Sequence, residues 1–295
     1  MEDANSRMIA LAVVTRNRRD LLARCIAAGL EQAARAGHEV VVVDQSDGDE
    51  TAKLVERLPG VRYVRSAPGL SRGRNVAVRE TSSPLLAFTD DDVTIPADWL
   101  ERVAREFEGA PEAGAVCGNG VTEAGAPLPG QRPGRYRWPV HPFRLGSGFN
   151  LAVRRAALED VGLFDEELGA GARYCSAEDT DLLYRLLRAG WTVVCSESIT
   201  VIHHDWRSPE EERELHYAYG LGAGAQTAKH LRQRDGAALV VGLREVVHHL
   251  RVLVASSARG RRSTARLQLP FLAGVFAGFW RRLRTAPDQA AAIRA

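Results

Sequence analysis

The sequence predicts an α/β fold, in which helices flank a mostly parallel β-sheet and a helical C-terminal extension follows. Three observations support this class. Short apolar segments alternate with helical patterns between residues 9 and 88, as in chains that form parallel sheets. The early apolar segments lack polar alternation, which is typical of strands buried on both faces. After Pro209 the pattern is helical.

The predicted elements follow one another as strands and helices. Ile9–Thr15 is rich in β-branched residues and is followed by a helical pattern that ends at Gly37. By the same criteria we predict strands at Val40–Val43, Val61–Val64, Leu85–Phe88 and Trp191–Cys195, and helices at Ala52–Arg57, Asn75–Glu80 and Asp179–Ala189, the last ending before Gly190. The segment between Gly109 and Gly148 is rich in Gly and Pro and is predicted to be a long loop with little regular structure.

The chain is long enough for one large or two small domains, with 295 residues. We divide it into an α/β domain at residues 1–215 and a helical, arginine-rich extension at residues 216–295. The net charge of +2 conceals an asymmetry, because residues 231–295 contain twelve arginines and three acidic residues. Such a tail indicates nucleic acid or an anionic membrane surface as a partner, or simply solvated arginines on ordinary helices.

The cysteine pattern and the first residues bear on the compartment. The four cysteines show no CxxC spacing, so neither a zinc site nor a disulfide framework is expected. The first fifteen residues show no secretory signal. We therefore expect a cytoplasmic protein.

Three polar clusters follow predicted strands. They are Thr15–Asn17, Asp44–Asp47 and Thr89–Asp92. In parallel sheets ligands bind beyond the carboxyl ends of the strands, so these clusters are expected to line one crevice. The adjacent carboxylates of residues 90–92 suit Mg²⁺, which is held by one or two carboxylates together with substrate phosphates. A solvated turn or a helix N-terminus is the alternative at this point.

Further candidates carry a functional and a structural interpretation each. Asp44 is placed to accept hydrogen bonds from a base or a ribose, whereas Asp47 and Asp49 equally suit the cap of the next helix. Arg72 and Arg74, on a predicted glycine-rich loop at residues 69–75, suit phosphate. Glu178 or Asp179 is a candidate general base, but Ser176 and Asp179 also fit a capped helix start. His203 and His204 are candidate metal ligands or polar loop residues.

Taken in order, these segments resemble the family 2 glycosyltransferases of the GT-A fold. The resemblance covers residues 8–206, and its motifs are VVTRNRRDLLARCIAAGLEQ, VVVDQSDGDET, GLSRGRNVAVRETSSPLLAFTDDDV, GSGFNLAVRR, GLFDEELGAGARYCSAEDTDLLYRLLRAGW and VIHH. It implies a GT-A, Rossmann-like fold and transfer of a sugar, with inversion, from a UDP-, GDP- or dTDP-sugar to an acceptor hydroxyl. Cell-envelope polysaccharide, glycolipid or another glycoconjugate is the expected product.

The resemblance also implies roles for individual residues. Asp179, in the pair Glu178–Asp179, would deprotonate the acceptor. Asp90 and Asp92 match the DxD motif, with Asp92 as the direct ligand of Mn²⁺ or Mg²⁺ and Asp90 nearer the ribose. His203 or His204 would complete the metal shell, and His203 is favoured. The residues expected around the nucleotide sugar are Thr15, Arg16, Asn17, Asp44, Arg72, Arg74, Asn75, Asp90, Asp91, Gly148 and Asn150, with Gly146–Asn150 as the floor beneath the sugar. Arg16 departs from the family pattern, in which Tyr is common.

The tail beyond residue 206 resembles the family less. Leu267–Trp280 is free of charge and flanked by arginines, which suits an interfacial segment on the inner face of the cell membrane. Packing on the catalytic domain or on a second subunit, as in a homodimer, is the alternative. Glycan, lipid-linked and small-molecule acceptors remain open, as do a glycosyltransferase of secondary metabolism and a sugar-nucleotide-binding protein with a degenerate site. Because few aromatic residues lie among the arginines, we do not expect nucleic acid as a partner.

Overall fold

The computed structural model describes residues 7–128, 132–204 and 208–285. The chain divides into two compact units. The first consists of Met1–Glu166 and Glu178–Trp206, and the second of Glu167–Ala177 and Arg207–Ala295. The sequence did not reveal that the short segment at residues 167–177 groups with the C-terminal helices.

The first unit contains the strands and six of the described helices. The strands are β1 Ile9–Thr15, β2 Glu39–Asp44, β3 Val61–Arg65, β4 Leu85–Asp90, β5 Val93–Thr94, β6 Ala113–Val121, β7 Gly134–Tyr136, β8 Asn150–Arg154 and β9 Thr192–His203. The helices are α1 Arg19–Ala36, α2 Glu50–Val55, α3 Leu70–Arg79, α4 Trp99–Gly109, α5 Arg155–Val161 and α6 Glu178–Arg188, with a short 3₁₀ helix at Pro142–Arg144.

The strands of the described residues form one mixed sheet in the order β3-β2-β1-β4-β8-β6-β9-β5, and β7 pairs with β9. The pairs among β1 to β4 are parallel, as the sequence predicts. Beyond β4 the sheet departs from the prediction, since β8 runs antiparallel to both β4 and β6. The α/β class is confirmed, and the parallel part is confined to one half of the sheet.

Helices cover both faces of the sheet, which explains the continuous apolar strands. On β1, Leu11 and Val13 belong to a core that includes Ile26 and Trp99 from α1 and α4. Ala12, between them, faces a second core built with α3, α5 and α6. Neighbouring residues of a strand point to opposite faces, so a strand buried on both sides needs an apolar residue at every position.

The predicted loop at residues 109–148 is partly wrong, because it contains the nine-residue strand β6. Because β6 contains several glycines, its sequence resembles that of a loop. In the structure, each of these glycines packs closely against a neighbouring group. A Cβ at Gly118 would come within 2.2 Å of the Asn150 amide, and one at Gly120 within 2.8 Å of the Phe149 ring. Close packing, and not flexibility, accounts for these glycines. Residues 129–131 of this segment lie outside the described residues.

The predicted loop at residues 69–75 is also wrong, because α3 begins at Leu70. Gly69, with φ of 126°, turns the chain into the helix. Gly73 lies within the helix, where a Cβ would come within 2.5 Å of Val14. It therefore allows α3 to approach β1 closely. Other predicted bounds agree within a few residues, although the strand predicted at 191–195 extends to His203.

The part of the chain from Pro209 onward is helical, as predicted, and its described residues form three helices. They are α7 Pro209–Arg232, α8 Ala237–Ala258 and α9 Arg262–Arg284. Ser208 caps α7 through a reciprocal pair with Glu211. None of the helices, over the residues that were described, has the length and apolarity to cross a bilayer.

Candidate active site

The carboxyl ends of β1, β2 and β4 lie side by side, as the sequence predicts. Thr15 at the end of β1 pairs with Asp44 at the end of β2, and Val14 pairs with Asp90 at the end of β4. This edge brings together the polar clusters that follow the three strands. A separate cavity of about 540 Å³ lies near the amino end of β1, lined by Met8 and His38 among others, so it is distinct from this edge.

The three aspartates after β4 point in different directions. Asp90 Oδ1 accepts a hydrogen bond from Arg74 at 3.2 Å. Asp91 Oδ2 accepts one from the Thr15 hydroxyl at 2.7 Å. Asp92 Oδ1 lies 3.6 Å from His203 Nε2. Each aspartate thus has a contact of its own, and Asp91 and Asp92 also share Arg18.

Burial makes the carboxyl groups of Asp90 and Asp91 harder to ionise. The pKa of Asp90 is raised, first by burial and also by the charge of Asp92, although Arg74 opposes the rise. The pKa of Asp91 is raised to about 6, chiefly by burial, against the stabilising hydrogen bond from Thr15 and the charge of Arg18. Positive charge placed among these groups is therefore stabilising.

Arg18 is a site residue that sequence reasoning missed. Its Nη1 lies 3.1 Å from Asp91 Oδ1 and 3.4 Å from Asp92 Oδ2. The residue precedes α1 directly, and the available signal was its place in the polar run that follows β1. It supplies part of the positive charge that adjacent carboxylates require.

Arg74 has a different environment from the one predicted. Its side chain is 2% exposed, and its guanidinium lies over the rings of Phe88 and Phe164. It donates to Glu178 Oε1 at 2.9 Å and to Asp90 Oδ1 at 3.2 Å. Because it is enclosed, Arg74 joins the carboxylate after β4 to the start of α6, whereas we had expected it on an open loop facing phosphate.

Asp179 and Glu178 begin α6 but have unlike environments. Asp179 is half-buried, and its Oδ2 accepts the backbone N–H of Gly148 at 2.8 Å. Glu178 is buried, and its pKa is raised to about 7 by burial and by the charge of Asp179, against the effect of Arg74. The Ser176 hydroxyl donates to the Ala218 carbonyl, so the capping role considered for it is not what the structure shows.

Gly148 lies directly over Arg74. A Cβ at this position would come within 2.5 to 2.8 Å of the guanidinium atoms. The missing side chain thus lets the backbone N–H reach Asp179 while Arg74 passes beneath. The predicted glycine is therefore required at this point by the approach of the guanidinium.

The two histidines point to opposite sides at the end of β9. Antiparallel pairing of Val93 with His203 brings His203 next to Asp92. The ring of His204 faces away and contacts the Thr94 hydroxyl and the Glu123 carboxylate. The geometry favours His203 as the metal ligand, and this assignment stays a prediction.

Arg16, Asn17 and Asp44 are expected to bind the nucleotide. Contacts between the loop after β1 and the loop after β2 hold this region in place. The side chain of Asn17, a residue with φ of 56°, donates to the Asp47 carboxylate and accepts from the Asp47 backbone N–H. Arg16 lies 3.5 Å from the same carboxylate and is about half exposed. Asp44 is buried, and its oxygens accept from Tyr63 and from the Ser46 backbone. Nucleotide binding by these residues remains a prediction.

Asn75 and Asn150, two residues predicted to contact the nucleotide sugar, are buried and bond with other parts of the protein. Asn150 is 1% exposed, and its amide bonds with Trp99, Asn119 and Ile199. Asn75 is buried and exchanges hydrogen bonds with the Phe164 backbone. In this geometry both side-chain amides connect separate segments of the chain by hydrogen bonds. Arg72 differs, because it is partly exposed and pairs with Glu166 at 2.9 Å.

Asp90, Asp92 and His203 carry oxygen and nitrogen donors of the kind that bind divalent cations, and metal binding by them stays a prediction. Over residues 7–128, 132–204 and 208–285, no three or more His, Cys, Asp or Glu side chains form a group that could hold a metal ion by themselves. A cation that also binds a diphosphate needs only one or two protein carboxylates, since phosphate oxygens and water fill its other positions. The raised pKa of Asp90 agrees with a place where added positive charge is favourable.

Comparison with protein families places this geometry in context. The model described as "Glycosyl transferase family 2" matches residues 11–162. An uncharacterized glycosyltransferase of Mycobacterium tuberculosis is 30% identical over 176 residues, which are 55% of this chain and 73% of that protein. The succinoglycan biosynthesis protein ExoM of Rhizobium meliloti is 30% identical over 182 residues, 57% of each chain.

Solved structures share the fold. The mannosyltransferase PcManGT of Pyrobaculum calidifontis, in complex with GDP-Man and Mn²⁺, superposes with a TM-score of 0.66 at 18% identity. The match covers 93% of this chain and 87% of the other. The GT-A fold class expected from the sequence is thereby confirmed.

Proposed function

The chain belongs to glycosyl transferase family 2, and from this premise we propose that it transfers a sugar from a nucleotide-diphosphate sugar to an acceptor hydroxyl with inversion of configuration. The observation that carries the proposal is the separation of two carboxylate sets. Asp90 and Asp92 lie at the end of β4, whereas Asp179 begins α6 and is joined to them through Arg74 and Glu178. Asp90 and Asp92 suit the diphosphate of the donor, through a bound cation, and Asp179 suits the acceptor hydroxyl.

Asp179 is the proposed general base. Its carboxylate is oriented by the N–H groups of Gly148 and Thr180 and is more exposed than that of Glu178. In the transfer, Asp179 accepts the proton of the acceptor hydroxyl as the oxygen bonds to the anomeric carbon. The bond from that carbon to the diphosphate oxygen breaks, and the nucleoside diphosphate leaves with the electron pair. A single displacement of this kind inverts the configuration.

Asp92 and His203, with Asp90 beside them, would hold Mn²⁺ or Mg²⁺. Such an ion supplies charge stabilisation for a leaving diphosphate. Arg18 adds fixed positive charge next to Asp91 and Asp92. The Mn²⁺ complex of the Pyrobaculum neighbour supports a divalent cation, and its GDP-Man supports a nucleotide-sugar donor.

A bacterial polysaccharide or glycolipid is the proposed acceptor class. The support is the name of the Rhizobium relative, a succinoglycan biosynthesis protein. The base, the sugar and the linkage are left to experiment, and a panel of UDP-, GDP- and dTDP-sugars scored by thermal shift with Mn²⁺ would identify the donor.

Replacement of the base gives the sharpest test. We expect Asp179→Asn to keep donor binding and to lose transfer by a factor of at least about 100, since general bases contribute about 10²–10⁴-fold. Transfer from a labelled donor and donor-induced thermal shift are measured in parallel. Asp20→Asn, an exposed change on α1, is the matched control and should behave as wild type. Near-normal turnover of Asp179→Asn would contradict the assignment.

Removal of the cation tests the second set of carboxylates. Dialysis against EDTA should abolish transfer, and added Mn²⁺ or Mg²⁺ should restore it. His203→Ala should raise the Mn²⁺ concentration needed for half-maximal activity, whereas His204→Ala should change it little, because the ring of His204 faces Thr94 and Glu123. Full activity in chelator would refute a catalytic cation.

We further propose that α9 lies on an anionic membrane surface on the cytoplasmic side. Leu269, Phe276 and Trp280 are exposed on this helix, and Arg266, Arg281 and Arg284 are exposed around them. Apolar and aromatic side chains framed by arginines are typical of interfacial helices. Such attachment would place the enzyme near lipid-linked acceptors.

A further inference from the structure

Helix α8 carries a regular apolar stripe on its exposed side. The stripe consists of Val240, Leu243, Val247, Leu250 and Val254, which are 41–68% exposed. Their spacing alternates between three and four residues, which is the heptad repeat of a coiled coil. Isolated exposed apolar residues are ordinary, but five in this register on one helix are not.

The opposite side of α8 is already used within the second unit. Ala238, Val241 and Ser256 are buried there. His249 stacks on Phe271 of α9 with ring centroids 3.5 Å apart and bonds with Gln268. One side of α8 is therefore buried within its own unit, and the stripe on the other side is a continuous exposed apolar patch of the kind that marks an interaction surface.

We propose that a second copy of this chain covers the stripe, with the two α8 helices paired parallel and in register. In heptad notation the valines occupy the a positions and the leucines the d positions. β-Branched residues at a with Leu at d favour parallel two-stranded coiled coils over higher oligomers. The face is self-complementary, as a symmetric dimer requires.

The charges on α8 select the parallel arrangement. Arg244 and Arg251 occupy the e positions, and both are exposed. In an antiparallel pair, e positions face e positions, which would bring arginine against arginine. In a parallel pair, each e position faces a g position of the partner, here Leu239 or Val246. The aliphatic part of arginine packs well on such side chains while its charge stays in water.

The length of the stripe predicts a weak dimer. A contact of little more than two heptads buries roughly 600 Å² per protomer, below the ~800 Å² of a standard interface. We therefore expect a reversible dimer with a dissociation constant in the micromolar range.

A membrane surface is the competing occupant. Interfacial faces are rich in aromatic residues, and the α8 stripe consists of Val and Leu alone, in contrast to α9 with Phe276 and Trp280. Val at the a positions with Leu at the d positions favours a two-stranded helix pair, whereas the spacing of three and four residues alone would suit any amphipathic helix. We therefore assign the α8 stripe to protein and treat lipid as an outcome of the test.

Sedimentation of the full chain between 1 and 100 µM (roughly the range that brackets such a weak interface) tests the proposal. Wild type should shift from monomer to dimer, and Leu243→Gln/Leu250→Gln should stay monomeric with unchanged helicity by circular dichroism. Glutamine keeps helix propensity and net charge. Phe276→Gln, an equally exposed apolar change on α9, is the matched control and should dimerise as wild type. Monomeric wild type at 100 µM, or dimers that survive the double change, would overturn the proposal.

Cross-linking tests the orientation. In a Cys175→Ser background, which removes the exposed native cysteine, Leu243→Cys and Leu250→Cys should each form a covalent dimer on mild oxidation. Arg259→Cys, off the stripe, should not. Cross-linking in a mixture of Val247→Cys and Leu250→Cys chains, with neither variant cross-linking by itself, would indicate an antiparallel pair and refute the parallel register. Loss of binding to anionic vesicles in the Leu243/Leu250 variant of a monomeric protein would assign the stripe to lipid instead.

Discussion

The guanidinium of Arg74 connects groups that lie far apart in the chain. It pairs with Asp90 at the end of β4 and with Glu178 at the start of α6. A buried cation without partners would be costly, and so would the buried carboxylate of Glu178 without a cation, whereas Asp90 is partly exposed. The three charges therefore stabilise one another, and they hold α6, which carries Asp179, against the end of β4.

At the residue scale, Glu178 makes a prediction about pH. Its pKa of about 7 in the folded chain lies above the ordinary value of about 4.3. The folded state then binds the proton more tightly than the unfolded state does. Stability from this residue is complete below the unfolded-state pKa and is lost as pH rises through about 7.

Glu178→Gln cannot ionise and should remove this dependence. The free energy of unfolding of the variant relative to wild type should rise between pH 5 and pH 8, by on the order of 2–3 kcal/mol. Urea titrations at the two pH values measure it. Glu31→Gln, an exposed change on α1, should show no such trend. An equal pH dependence in wild type and Glu178→Gln would contradict the raised pKa.

The sequence reveals some site residues better than others for a physical reason. Asp90 and Asp92 were assigned from the sequence through their resemblance to the DxD motif, because adjacent aspartates after a buried strand equally suit a solvated turn or a helix N-terminus. A buried amide that bridges strands, such as Asn150, has the same sequence appearance as one that binds a sugar. Arg18 and Arg74 look like ordinary surface arginines until the fold places carboxylates beside them.

At the element scale, α7 and α9 pack through glycines on both helices. Cβ atoms at Gly220 and Gly224 would come within 2.0 Å of carbonyl oxygens of α9, and one at Gly278 within 1.9 Å of the Leu221 carbonyl on α7. Small residues four apart let helix backbones approach closely. The pairs Gly220/Gly224 and Gly274/Gly278 are visible in the sequence, and they could have predicted this contact.

We expect Gly278→Ala to push α7 and α9 apart and to destabilise the second unit. Overpacking of this kind costs about 1–3 kcal/mol, although the gain in helix propensity from Gly to Ala offsets part of it. Thermal unfolding followed by circular dichroism measures the change. Gly236→Ala, where a Cβ would meet nothing within 4 Å, is the control. An unchanged melting temperature for Gly278→Ala would show that the close approach is not required.

The position of glycines also explains why some elements could be predicted from the sequence and others could not. The helices α1 and α6 end at Gly37 and Gly190, which have positive φ, and their bounds followed from the sequence. Strand β6 did not, because Gly114, Gly118 and Gly120 read as a loop. In each of these positions the glycine is set by a neighbour from a distant part of the chain, which local patterns do not contain.

At the scale of the whole molecule, charge is unevenly distributed along the chain. Residues 231–295 are strongly basic, and the rest of the chain carries the balance of the acidic residues. The basic region also contains the exposed apolar faces of α8 and α9. Under the two proposals, charge would draw this region to anionic surfaces in general, and the two apolar faces would determine what each helix contacts.

Vesicle flotation tests whether the exposed apolar face of α9, and not that of α8, binds lipid. Full-length protein should float with vesicles of phosphatidylglycerol and phosphatidylcholine at low salt and should dissociate at high salt, since the attraction is screened. Phe276→Glu/Trp280→Glu should abolish flotation, because it removes the aromatic side chains and adds repulsion from the lipid charge. Leu243→Gln/Leu250→Gln is the matched control on α8 and should still float. Its binding should weaken only as far as a monomer, with one membrane-binding helix in place of two, binds vesicles less tightly than a dimer. Absence of wild-type binding at low salt would refute the proposal for α9. Binding that resists both salt and the α9 changes would indicate that another surface meets the lipid.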